Sequence, residues 1–176
     1  MIYRFRVLLD TDTDEDVFRD IELSQTATLE DFHNVITQSF GFDGSEMASF
    51  YTSDEQWSQN EEISMFDMGD GEEGETIRLM NETQLEDIVH EASPRLLYIY
   101  DFLSMWTFMI ELADIGEPEA GQEYPNIMFV HGQVPENVQE INFETEDMHG
   151  EDEDAFSDST IDLEDYDELD FDENWN

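Results

Sequence analysis

The chain has 176 residues, of which 48 are acidic and five are Lys or Arg, and its formal net charge at pH 7 is −43. A surface of this charge repels nucleic-acid phosphates and anionic membranes, so binding to either through a basic patch is close to excluded. The sequence contains no cysteine, which excludes a disulfide framework, thiol catalysis and thiolate zinc sites.

A β-hairpin is predicted at the start of the chain. The first ten residues alternate between apolar and polar side chains, and Val17–Leu23 does the same, which is the pattern of two half-buried strands. Pairing the two segments about a central turn places Arg4 opposite Glu22 and Arg6 opposite Asp20. Facing opposite charges favour this register over its alternatives.

The hairpin turn is rich in acidic residues at alternate positions, which raises the question of a calcium site. An EF-hand loop counted from Asp12 needs Gly at its sixth position and Glu at its twelfth. The sequence has Val17 and Leu23 at those positions. It therefore predicts a solvated acidic turn and not a calcium loop.

A long helix is predicted from Leu29 to Phe40. Thr28 is placed to cap its first turn, and Gly41 stands where a helix ends. One side of the helix is an apolar stripe, made of Leu29, Phe32, Val35, Ile36 and Phe40.

His33 lies at the border of that stripe and is a candidate polar-site residue. A histidine in a reactive or metal site needs a nucleophile or further ligands. The other three histidines, His90, His131 and His149, are scattered along the chain. The pattern favours a helix-edge histidine hydrogen-bonded to a neighbouring group.

Shorter elements are predicted between the helix and the most apolar stretch. Met47–Tyr51 and a segment around Trp57 have the composition of short strands. Asp67–Glu75 is rich in Gly and acids, which indicates a mobile loop more than a weak chelating site. A short helix, Thr83–His90, follows and begins with a capping-box pattern at Thr83.

Arg95–Leu112 is the longest stretch of the chain with almost no charge. It predicts two central strands interrupted near Asp101, because it is dense in aromatic and β-branched residues. A membrane helix needs about 20 apolar residues, and Asp101 interrupts a run that is already shorter. The first ten residues lack the pattern of a signal peptide, so a soluble, cytoplasmic protein is expected. The predicted structural core comprises Tyr98, Tyr100, Phe102, Trp106 and Phe108, together with Phe32 and Phe40.

The folded part is predicted to be residues 1–142, ending after an edge strand, Asn126–His131, that follows Pro125. Residues 143–176 form an acidic tail that cannot bury enough apolar surface to fold, and it is predicted to be disordered when free. The tail serves either as a solubilising segment or as a binder of a basic, grooved partner. The second reading depends on Leu163, Tyr166, Leu169, Phe171 and Trp175.

The order of these elements resembles the Ri-plasmid ORF-three-like family, which is also labelled the insertion-element passenger TnpR family. The similarity runs from about Ile2 to Val130, and its most specific part is Tyr100-Asp101-Phe102 followed by Trp106. His33 also matches a family histidine. The resemblance implies a single α+β domain, a β-grasp-like mixed sheet packed by one main helix.

The chain departs from the family pattern after Asp101. Family members continue Tyr-Asp-Phe with Gly-Asp and place a His shortly after the Trp. Here Leu103, Ser104 and Phe108 occupy those positions, so only Asp101 and His33 remain as a candidate polar site.

Two functions are consistent with the sequence. The first is a non-enzymatic interaction module whose acidic surface and tail bind a basic protein partner. The second is a divalent-metal-dependent enzyme, or a mobile-element accessory protein, that uses Asp101 and His33. The absence of a nucleophile elbow, paired histidines and a phosphate loop favours the first, and neither a cofactor nor a metal ligand set is predicted.

Overall fold

The computed structural model describes residues 1–67, 69 and 76–136. Most of the predicted loop at Asp67–Glu75 and all of the predicted tail lie outside the described residues. The predicted tail-binding residues lie there as well: Leu163, Tyr166, Leu169, Phe171 and Trp175.

One main helix packs against one face of an eight-stranded sheet whose strand order is β5-β4-β3-β6-β7-β1-β2-β8. Neighbouring strands are antiparallel except β4 and β5, which are parallel. The predicted α+β class, with a mixed sheet, one main helix and a short second helix, is confirmed. The elements are β1 Ile2–Leu9, β2 Val17–Ser24, α1 Leu29–Phe40, β3 Ala48–Thr52, β4 Glu62–Ser64, β5 Arg78–Leu79, a short 3₁₀ turn Met80–Glu82, α2 Leu85–Ile88, β6 Arg95–Tyr100, β7 Trp106–Gly116 and β8 Asn126–His131.

The predicted hairpin register is confirmed. In the β1–β2 pair, Arg4 lies opposite Glu22 and Arg6 lies opposite Asp20. The other edge of β1 pairs with β7, so the first strand of the chain lies inside the sheet and not at its border.

The uncharged stretch forms two internal strands, as predicted. β6 lies between β3 and β7, and β7 lies between β6 and β1. Both faces of β6 are covered, because Tyr98 on one face and Leu97 and Ile99 on the other are all buried. The chain reverses between the two strands at Asp101 and Met105, which both have positive φ angles, of 58° and 55°.

Helix α1 is bounded by the predicted residues. The Thr28 side chain accepts a hydrogen bond from the Asp31 N–H, and the Asp31 carboxylate accepts one from the Thr28 N–H, which completes a capping box. Gly41 ends the helix with a φ of 82°, a left-handed conformation that glycine adopts without steric cost.

The core is an aromatic layer between α1 and the sheet. The Phe32 ring lies between the rings of Phe5 and Phe50, with centroid distances of 4.8 and 5.7 Å. Near the other end of the helix, the Phe40 ring packs on the Phe108 ring at 4.8 Å. Rings from β1, β3 and β7 therefore all meet one helix.

A buried arginine, which the sequence did not predict, joins the end of α1 to the sheet. Arg19 is 5% exposed and donates hydrogen bonds to the carbonyl oxygens of Ser39, Phe18 and His131, each at 2.9 Å. Its guanidinium lies 4.5 Å from the centre of the Phe40 ring. Burial lowers the pKa of this guanidinium, and the carbonyl oxygens compensate for its lost hydration.

The predicted strand around Trp57 is wrong. Trp57 has a φ of 59° and lies in a turn. The Asp54 carboxylate holds this turn by accepting hydrogen bonds from the N–H groups of Gln56 (2.9 Å) and Ser58 (3.1 Å). The strand of this region is β4.

The second helix, Leu85–Ile88, is shorter than the predicted Thr83–His90. Gln84 is its N-cap, and the capping box is completed by Asp87. The Thr83 hydroxyl donates instead to the Leu79 carbonyl oxygen at 2.8 Å, which closes the preceding 3₁₀ turn.

One residue of the predicted core, Phe102, is on the surface. It is 43% exposed, because it belongs to the β6–β7 turn and not to either strand. Trp106 is half-buried, packed against the core. The remaining residues are buried: Phe32, Phe40, Tyr98, Tyr100 and Phe108.

Replacing Phe108 by Ala is expected to lower the free energy of unfolding by roughly 3–5 kcal/mol, because it removes a large buried side chain and leaves a cavity. The matched control, Phe102→Ala, should lower it by less than about 1 kcal/mol, because that ring is largely in solvent. Denaturant unfolding of the two variants measures the difference. Equal losses would contradict the surface position of the turn.

Candidate functional site

His33, the first predicted polar-site residue, is a buried residue of α1. Its Nδ1 atom lies 2.6 Å from the Tyr98 hydroxyl, and the two groups share a hydrogen bond. Burial lowers the pKa of His33 to about 4 and raises that of Tyr98. Both groups are therefore neutral at physiological pH, and their bond satisfies two polar groups inside the core.

Asp101, the second predicted residue, shapes the β6–β7 turn. Its carboxylate accepts a hydrogen bond from the Leu103 N–H at 3.1 Å, and its N–H donates to the Met47 carbonyl oxygen at 2.8 Å. A side-chain hydrogen bond from Ser104 is the main reason why the pKa of this carboxyl lies below its usual value. Through these contacts, Asp101 stabilises the turn.

The structure does not bring Asp101 and His33 together. No hydrogen bond or ion pair joins them in the described part of the chain, and the partners of each are different residues. The positions at which the family pattern has polar residues are not grouped either, since Leu103 is 89% exposed and Phe108 is fully buried. Within residues 1–67, 69 and 76–136, no group of three or more His, Asp or Glu side chains is placed to hold a metal ion.

Asp43 is a polar residue at the edge of the core that was not predicted from the sequence. Its carboxylate accepts hydrogen bonds from the Tyr100 hydroxyl at 3.0 Å and from the Ser45 hydroxyl at 2.8 Å. A hydrogen bond from the Ser45 backbone N–H, together with these two hydroxyl bonds, lowers the pKa of Asp43. The signal in the sequence was its position directly after the helix, in Phe40-Gly41-Phe42-Asp43.

The acidic residues and the arginines are placed differently. Nearly all acidic residues in the described part of the chain are exposed, and the exceptions are Asp20, Glu22 and Asp101. Each of the five arginines is instead held close to a carboxylate or to carbonyl oxygens. The surface therefore exposes an excess of negative charge, whereas the arginine side chains already have partners within the protein.

The sheet face opposite α1, here called the open face, carries two cross-strand rows of alternating charge. In the first row, Arg4 lies between Glu22 on β2, at 2.9 Å, and Asp114 on β7, at 2.7 Å. Asn126 on β8 extends this row by donating to Glu22 at 3.0 Å. The row therefore crosses four strands.

The second charged row runs through the next positions of the same strands. Arg6 binds Asp20 at 2.9 Å, and Glu111 lies opposite both Arg6 and Arg95. The Arg95 Nε atom is 3.8 Å from Glu111, and the Trp57 ring covers its guanidinium at 5.2 Å. Charges of both signs alternate, so the open face is close to neutral in an otherwise acidic protein.

A groove of about 580 Å³ lies over these rows. Its apolar lining comes from Leu8, Trp57, Met109, Ala113 and Met128. The charged groups beside it already have partners of opposite sign. The groove thus offers apolar surface rather than a free cation or a carboxylate cluster.

Strand β8, at one of the two edges of the sheet, exposes a run of large apolar side chains. It ends the strand order of the sheet, next to β2, in agreement with the predicted edge position. The exposed fractions along it are 41% for Ile127, 50% for Met128, 52% for Phe129 and 57% for Val130. An exposed apolar run on a strand edge is a feature of interaction surfaces.

Comparison with known protein families identifies the family of this chain. The family model described as "Plasmid pRiA4b ORF-3-like protein" matches residues 1–175. The chain belongs to this family. The match extends beyond the region on which the resemblance was based, and no curated protein matches the chain.

A solved structure shares the fold of this plasmid pRiA4b ORF-3-like protein. It is the crystal structure of a protein of unknown function, MM3350, from Methanosarcina mazei Go1, with a TM-score of 0.63 and 19% sequence identity. The similarity covers 73% of this chain and 68% of that chain. At this identity, the likeness concerns the fold alone.

Neither helix in the described part of the chain combines the length and the hydropathy needed to cross a lipid bilayer.

The buried imidazole predicts a pH dependence of stability. The pKa of His33 is about 4 in the folded state and about 6.5 in the unfolded state, so below pH 6.5 the unfolded chain binds the additional proton. Stability from His33 is fully present above about pH 6.5 and is lost as the pH falls towards 4, by on the order of 3 kcal/mol. Denaturant unfolding between these pH values should show this loss.

His33→Gln isolates the effect from that of the carboxylates, because Gln does not titrate. The variant should lose less stability than the wild type over this interval, whereas Tyr98→Phe, which keeps the buried imidazole, should retain the wild-type slope. Parallel pH profiles for the wild type and His33→Gln would contradict the assignment.

Proposed function

We propose that the protein is a non-enzymatic interaction module that binds a basic protein partner through its acidic surface. The observation that carries the proposal is the unequal placement of charge. Acidic side chains are exposed almost throughout the described residues, while all five arginines are engaged within the protein. Such a surface attracts a cationic partner and repels an anionic one.

Electrostatics also define the kind of association that the proposal requires. Exposed charges steer a partner of opposite sign and increase the association rate, and salt screens them. All five arginines lie against carboxylates or carbonyl oxygens of the protein, so direct nucleic-acid binding through a basic patch is not part of the proposal. The acidic segment 143–176 is included in the proposed binding surface because of its composition.

The metal-dependent enzyme considered from the sequence gains no support from the described residues. His33 is neutral, buried and hydrogen-bonded to Tyr98. The Asp101 carboxylate accepts its hydrogen bond from within its own turn. A role as an accessory of a mobile element, which the label TnpR implies, rests on the resemblance of the sequence alone. The interaction module is the function that the surface supports best, and a cytoplasmic location is part of this proposal.

Affinity capture with the full-length chain tests the proposed function. Proteins captured from a cytoplasmic extract at about 0.1 M salt should be basic, with isoelectric points above about 9. They should be released at about 1 M salt, where the screening length falls to about 3 Å. Mass spectrometry of the eluted fractions gives both results.

A variant of the bait provides the control. Glu46 and Glu55 are exposed and lie on the β3 side of the sheet, and Glu119 and Glu123 are exposed near β8. Replacing all four by Gln should weaken capture. Proteins that are neutral or acidic, or capture that persists in high salt, would refute the proposed function.

A further inference from the structure

The outer edge of β8 is a strand-pairing surface that no described residue uses. One edge of β8 pairs with β2, from Phe18 opposite His131 to Glu22 opposite Asn126. The other edge faces no strand within residues 1–67, 69 and 76–136. An edge of this kind presents backbone N–H and C=O groups to any extended segment that approaches it.

Strand β8 has some, but not all, of the protection that sheet edges usually carry. Natural edge strands are blocked by charged side chains, by proline or by bulges. Strand β8 carries one bulge, because Met128 has no partner between the pairs Asp20–Phe129 and Ile21–Ile127, and Pro125 precedes the strand. No charged residue and no proline lies within Asn126–Val130.

Two side chains of β8 pack on the neighbouring strand. Phe129 is stacked on Phe18 of β2 with a centroid distance of 5.8 Å, and His131 is stacked on the same ring at 5.0 Å. These stacked rings fix the strand on its paired side. Phe129 is therefore held in place by β2 although about half of its surface is exposed.

Acidic residues stand at both ends of this apolar strand. At one end, Gly132 is tight against the hairpin turn, since a side chain there would meet the Asp16 carbonyl oxygen at 2.5 Å, and Asp14 and Glu15 are exposed in the same turn. At the other end, Glu123 lies in the exposed connection that leads into β8. The surface is apolar in its centre and negative at its two ends.

We propose that an extended basic segment of the partner protein adds to the outer edge of β8 as a further strand of the sheet. The inference rests on the proposed function and specifies how the basic partner binds. Main-chain hydrogen bonds to the edge supply affinity, and alternate side chains supply specificity. The matching segment is apolar in its centre and carries Lys or Arg at both ends.

A second copy of this chain is the less suitable occupant. Antiparallel pairing of two β8 strands would bring the acidic turn of one copy near the acidic connection of the other. Each copy also carries a formal net charge of −43, and like charges in an interface oppose association. Charge complementarity favours a basic segment.

Two synthetic peptides test the proposal with the full-length protein. The first has the sequence Arg-Lys-Arg-Val-Thr-Ile-Thr-Val-Arg-Lys-Arg, which can form a strand across the six residues of β8. The second has identical charged ends, with Pro in place of both Thr residues, so it cannot complete the backbone pairing. Titration calorimetry should give at least tenfold tighter binding for the first peptide.

Substitutions at two exposed apolar residues locate the binding site. Val130→Lys places a positive charge on β8 and should remove the difference between the two peptides. Leu103→Lys makes the same change of charge at an exposed residue of the β6–β7 turn and should leave the tenfold difference in place. Circular dichroism of both variants verifies that the fold is retained.

The outcomes separate the two proposals. Equal, salt-sensitive binding of both peptides to the wild type would overturn the strand pairing and leave the proposed function intact. If neither peptide binds at low salt, the proposed function itself fails. A wild-type dimer in sedimentation that Val130→Lys dissociates would assign the edge to a second copy and overturn the proposal.

Discussion

The apolar layer between α1 and the sheet is the interaction on which the rest of the structure depends. A chain with 48 acidic residues and five Lys or Arg gains little from ion pairs, because exposed pairs contribute weakly and the surplus negative charge repels itself. The rings of Phe5, Phe32, Phe50 and Phe108 are all fully buried in this layer. Burial of apolar surface, and not electrostatics, therefore holds the fold together.

Much of the fold could be predicted because the scarce uncharged sequence leaves few alternatives. Two independent patterns, apolar alternation and opposite charges, fixed the β1–β2 register. The misplaced features, Trp57, Phe102 and the start of α2, all depend on side chains that bond nearby backbone groups, which periodicity does not report. β4 and β5 have three and two residues, too few for a period to be visible.

The candidate site was less predictable than the fold, since it depends on which strands become neighbours. His33 and Asp101 were grouped as a candidate site because of the family resemblance, but the structure places His33 in the core and Asp101 in a turn. The rows of charge on the open face require the β1–β7 and β6–β7 registers, which no local pattern specifies. What remains is a surface divided into a nearly neutral open face, an acidic periphery and the apolar edge of β8.

The outer edge of β8, which no described residue covers, is tested most directly by residue-resolved amide hydrogen exchange of the free, full-length chain. Amides of β1, β6 and β7 should exchange slowly at successive positions, because these strands are paired on both sides. Along Asn126–His131, slow and fast amides should alternate on either side of the bulge at Met128, since β2 is the one strand of the described residues that pairs with β8. Uniformly slow exchange along β8 would show that its outer edge is already covered and would contradict the account.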